Sequence, residues 1–119
     1  MAQNRNKLIE LFIGNASNSI VHRILEKAIA KERNEEISDK YRKELITSFE
    51  IAWRYRKGIN PVNLPLPKKD ILYIKNRIIK KATSELRIRI SKGYRNINLG
   101  LVEEEVDDIL KKMNICDWE

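Results

Sequence analysis

The chain has 119 residues, the length of one ordinary domain, and such a chain buries roughly two-thirds of its unfolded surface without a disulfide or a metal. With 42% hydrophobic and 34% charged residues it is globular in composition, no apolar run reaches the ~20 residues of a membrane span, and the single cysteine, Cys116, excludes an internal disulfide. The formal charge is +7, and a cytoplasmic protein is expected, since no long apolar segment follows Met-Ala-Gln-Asn-Arg-Asn to act as a signal peptide.

Leu8, Ile9, Leu11, Phe12 and Ile13 predict a short buried helix over about 5–13, stopped by Gly14-Asn15. Ser17 or Asn18 then caps a second helix to about Lys31, with the stripe Ile20, Val21, Ile24, Leu25, Ala28 and Ile29. Ser38 caps a third helix to about Lys57, whose inner face is Tyr41, Leu45, Phe49, Ala52 and Trp53. Gly58 stands where a left-handed C-cap is expected.

The stretch 58–67 carries all three prolines and reads as an extended connector. Its apolar residues Ile59, Val62, Leu64 and Leu66 are expected to pack along the body. Pro67 suits the first position of a fourth helix, which runs to about Ser91 with Gly93 beyond it. Its inner arc is Ile71, Ile74, Ile78, Ile79, Ala82, Leu86 and Ile90. Residues 86–90 also alternate with period two, so a strand competes there; the longer helical stripe favours helix. A last helix over about 101–113 has Val102, Val106, Ile109, Leu110 and Met113 inside, with acids early and Lys111-Lys112 late, as the helix dipole favours. The fold class is therefore all-α, a single domain (1–119) forming a compact bundle of about five helices.

Charge is segregated along the chain. Residues 1–53 hold 9 cations and 8 acids, residues 54–96 hold 13 and 2, and residues 97–119 hold 2 and 7. Solvated helices usually alternate signs to form i,i+4 pairs, and the fourth helix mostly does not. At 100° per residue, Lys69, Tyr73, Lys80, Ser84 and Arg87 fall on one outward stripe, with Arg77 beside it and Lys81 farther round. Such a row can track a phosphate backbone, and rings among cations can stack on bases.

The expected partner is therefore DNA or RNA. The expected contacts are Lys69, Tyr73, Arg77, Lys80, Lys81 and Arg87, with Arg54, Arg56 and Lys57 as outlying members. The competing expectation is an assembly subunit. In it, Glu103, Glu104, Glu105, Asp107 and Asp108 neutralise the basic helix internally or pair with a protein partner or a second copy.

Nothing in the chain specifies an enzyme, a cofactor or a metal site. His22 is the only histidine, and with Cys116 it falls short of the four ligands of structural zinc. There is no glycine-rich phosphate loop and no Gly-x-Ser-x-Gly elbow. Two stretches of about five residues are similar to known motifs. Asn18-Ser19-Ile20-Val21-His22 resembles the Arg-Asn-x-x-x-His motif of HEPN ribonucleases, with Ser17 in the arginine position. Phe12-Ile13-Gly14-Asn15-Ala16 resembles the Phe-Leu-Gly-Asp-Ala signature of the ribonuclease III family, with Asn15 in place of the metal-binding aspartate. The first motif also sits in the wrong part of the chain for that family, the second lacks the metal-binding residue, and neither family is assigned.

Overall fold

A computed structural model describes residues 5–31, 35–61 and 63–115. Four helices form among them: α1 (Arg5–Lys31), α2 (Glu35–Ile59), α3 (Lys68–Ser91) and α4 (Leu101–Lys112). The count is four rather than five because the first two predicted helices are one.

Gly14-Asn15 does not stop α1. Phe12, Ile13, Ala16 and Ile20 on either side of it are buried and form one continuous stripe. Each large aliphatic side chain so buried contributes about 1.5–3 kcal/mol, more than the ~1 kcal/mol that a helical glycine costs. The polar side chains turn back on their own helix: Asn15 Nδ2 donates to the Leu11 carbonyl at 2.9 Å, and Ser17 Oγ to the Ile13 carbonyl at 2.7 Å. Ser17 is therefore no cap. A Cβ at position 14 would meet nothing within 4 Å. Gly14→Ala is accordingly expected to raise stability by about 0.5–1 kcal/mol, read as a higher urea midpoint.

α1 is the helix against which all three others pack. α2 runs back along it, with Glu44 beside His22 at one end and Gly58 beside Leu8 at the other. α3 runs in the same direction as α1: Asp70 pairs with Arg5, Tyr73 with Glu10, and Glu85 and Arg89 border the groove at His22. α4 returns, with Glu105 held by Arg23 and Lys27 of α1 at 2.9 and 2.8 Å.

Ser38 lies inside α2 rather than at its start, and Gly58 lies inside it rather than at a left-handed cap. The helix ends at Asn60-Pro61, where Arg56 takes over the free carbonyls. Its Nε donates to Met113 O at 2.8 Å, and its Nη2 donates to Leu64 O and Asn114 O, both at 2.9 Å. Its Nη1 donates to the Asn60 side-chain oxygen. One guanidinium thus joins the end of α2, the 60–67 connector and the end of α4. In the connector Leu66 is buried, and its N–H donates to Ile115 O at 2.9 Å. Leu64 instead stands exposed, Ile59 is buried as the last residue of α2, and Val62 lies outside the described residues.

Residues 86–90 are helical. Ile74, Ile78, Ala82 and Leu86 are all buried at helical spacing, and a strand at 86–90 would break that register; Ile90, at the end, is exposed. Both α3 and α4 close with the same hook. After α3, Gly93 takes φ +99°, Tyr94 N–H donates to Arg89 O and Gly93 N–H to Ile90 O. After α4, Asn114 takes φ +52°, Ile115 N–H donates to Leu110 O and Asn114 N–H to Lys111 O. These are Schellman caps, which satisfy the last carbonyls and fix the direction of the exit. Ile115 is fully buried as a result.

Candidate nucleic-acid interface

α3 has 24 residues, so it is about 36 Å long at 1.5 Å per residue. Its inner side is held by α1 and α4, and its outer side carries the cations. Lys69, Lys80, Lys81 and Arg87 are exposed, as are Lys68 and Ser84. None of these five cations forms an ion pair among the described residues. Charge therefore stays on the surface along most of the helix.

Tyr73 is exposed on the same outer side, but its hydroxyl donates to the Glu10 carboxylate. That bond, first among several causes, raises the Tyr73 pKa above the ordinary tyrosine value. The hydroxyl is thus occupied while the ring remains in reach. Arg77 is half-buried beside it rather than projecting outward, and interacts with Tyr73.

The three outlying cations separate. Arg54 is exposed. Lys57 is exposed too and lies 5.6 Å from the Trp53 ring centroid, while Trp53 packs half-buried on the core. Arg56 is fully buried and spends its donors on carbonyls, so it is not available to a phosphate. The pattern Trp53-Arg54-Tyr55-Arg56-Lys57 does not reveal this, because two of the acceptors come from residues 57 and 58 positions away.

The acids of α4 neutralise one cation of α3. Lys75 Nζ lies 2.9 Å from Asp107 and 3.6 Å from Glu103, which raises its pKa, chiefly through the Asp107 hydrogen bond. Glu105 is turned to α1, and Asp108 pairs with Lys112 of its own helix at 3.0 Å. The sequence offers these acids as internal partners of the basic helix but does not show which cation each one meets. Three further cations are exposed: Lys68 at the start of α3, and Lys92 and Arg95 beyond its far end. Loop cations carry no periodicity, so only their position in space marks them.

No family model, no curated protein and no solved structure matches this chain. Its function is therefore read from its own geometry.

Between α1 and α3 runs a polar groove of about 410 Å³, walled by Glu10, Asn18, His22, Lys81, Glu85 and Arg89 among others. His22 lines this groove and reaches across to α2. Its Nε2 lies 2.9 Å from Glu44 Oε2, and its ring stacks on Tyr41 with centroids 6.0 Å apart. The relation to Asn18 that suggested a ribonuclease motif is one turn of helix, and the residue at position 17 is a buried serine.

Burial is the main influence on His22 and lowers its pKa below 6.5; Glu44 opposes this and Arg89 adds to it. The unfolded chain then binds the proton more readily than the folded one. His22 should contribute its full share of stability above pH 6.5 and lose it as the pH falls through the lowered folded value. As the pH falls below 6.5 the urea midpoint is expected to fall, and to fall less in His22→Gln. An equal fall in both proteins would place the titrating group elsewhere.

Proposed function

We propose that this domain binds nucleic acid through the outer side of α3, chiefly by contacts to phosphates. The observation that carries the reading is the set of exposed cations Lys69, Lys80, Lys81 and Arg87 on one helix, unpaired within the described residues although an acidic helix lies alongside. Lys68 extends the row at one end; Arg54 and Lys57 are exposed too, but on α2, which does not pack against α3 among the described residues, so they stand apart from the row. Arg77 contributes from beside Tyr73, and Tyr73 offers a ring face for stacking. Phosphate contacts of this kind position a nucleic acid without reading its sequence.

Binding of this type is steeply salt-dependent. Four phosphate contacts imply an affinity loss of about a hundredfold between ~50 and ~200 mM salt for a duplex, through counterion release. Fluorescence anisotropy with labelled DNA and RNA at the two salt concentrations tests it. Micromolar or tighter binding that weakens with salt supports the reading, and no binding at ~50 mM salt sinks it.

One observation favours a protein partner instead. Leu72 and Ile88 of α3 stand exposed, at 60% and 47% of their full surface, between the cations. An assembly surface would raise the scattering mass with protein concentration in the absence of nucleic acid, and would leave anisotropy unchanged.

A further inference from the structure

The hook after α3 directs the chain so that Tyr94 returns over the last turn of the helix. Arg89 lies 5.4 Å from the Tyr94 ring centroid, and its Nη1 donates to the Tyr94 hydroxyl at 3.5 Å. Beside them opens a cleft of about 670 Å³, within the usual range of small-ligand sites. Its described walls are Ile29, Ile37, Tyr41, Gly93, Tyr94, Arg95 and Asn96, with no acid among them. The Tyr94 ring and two aliphatic side chains suit a flat, apolar-faced ligand, while Tyr41 is buried and stacked on His22. Arg95 lines the cleft, while Arg87 and Lys92 are exposed at the same end of α3. The cleft thus lies at the end of α3 where the basic row finishes.

We propose that this cleft receives an unpaired base of a single-stranded nucleic acid whose phosphates lie along α3. The inference rests on the α3 interface proposed above and makes it selective for single strands. A duplex keeps its bases stacked inside and presents phosphates only, whereas a single strand can turn a base into an aromatic cleft while its backbone stays on the cations.

The test uses the full chain and labelled strands of about ten nucleotides at low salt. A base-containing single strand, of DNA or RNA, is compared with an abasic strand of equal length and equal phosphate count. The base-containing strand is expected to bind at least about fivefold tighter, as one stacked base implies. Tyr94→Ala should bring it down to the abasic level and leave abasic binding unchanged, while Tyr94→Phe, which keeps the ring, should retain the difference. Equal binding of the two strands by the native protein overturns the cleft assignment and leaves the α3 interface standing. So does a Tyr94→Ala variant that weakens both strands alike. Failure of every strand to bind overturns the interface and the cleft together. The strand comparison in the native protein keeps the proposal exposed even if Tyr94→Ala does not fold.

Discussion

Arg56→Ala is expected to lose about 4 kcal/mol of stability, enough to lower the melting temperature by roughly 15 °C in a domain of this size. The side chain is fully buried. Its removal strips donors from the carbonyls of Leu64, Met113 and Asn114, and from the Asn60 side chain. A buried acceptor left without a partner costs about 1–3 kcal/mol, and the space left by the guanidinium adds to that. Burial also pulls the Arg56 pKa down, yet a guanidinium remains charged over any accessible pH, so its stabilising role does not titrate.

Arg56→Lys should recover only part of the loss, because one ammonium cannot reach three carbonyls spread around a planar fork. Arg54→Ala is the control. That side chain is exposed and should stay within about 0.5 kcal/mol of the native protein. Thermal melts followed by circular dichroism read all three. If Arg56→Ala melts with the native protein, the junction of α2, the connector and α4 is held by something else.

Reversing Lys80 and Arg87 together to glutamate is expected to weaken nucleic-acid binding by about a hundredfold at ~50 mM salt, and to reduce the salt slope by about two. Both side chains are exposed and neither forms an ion pair among the described residues. Glutamate is also a good helix former, so the helical signal and melting temperature should hold. The pair sits near the middle and the far end of α3, so its loss divides the row rather than trimming it.

Lys75→Glu makes the informative contrast. It reverses the cation that Asp107 and Glu103 already hold, so it should disturb the α3–α4 contact more than binding. Unchanged affinity in the Lys80, Arg87 double variant would remove the outer side of α3 from the interface.

The elements that were legible in the sequence are those whose determinants are local. α3 and α4 follow from apolar residues at three- and four-residue intervals, and their inner faces are buried largely as that spacing implies. The segregation of charge onto α3 was legible too, since it needs only counting along a helix whose inner side is known.

What only tertiary structure decided are the choices made by distant contacts. Gly14-Asn15 is a stop signal by local propensity worth ~1 kcal/mol, and it is overruled because the flanking aliphatic residues gain several times that against three helices. Gly58 stays helical, since α2 runs on to Ile59, and Arg56 ties its last turn to residues 57 and 58 positions away. Arg54 and Arg56 are alike in sequence, but one meets water and the other meets the carbonyls of α4. Lys75 and Lys80 differ in the same way, one facing the acids of α4 and the other solvent. Periodicity fixes which side of a helix faces inward, since that is set by the 3.6-residue turn. It does not fix which neighbour arrives at that side, and so it leaves undetermined whether a given cation is structural or free to bind.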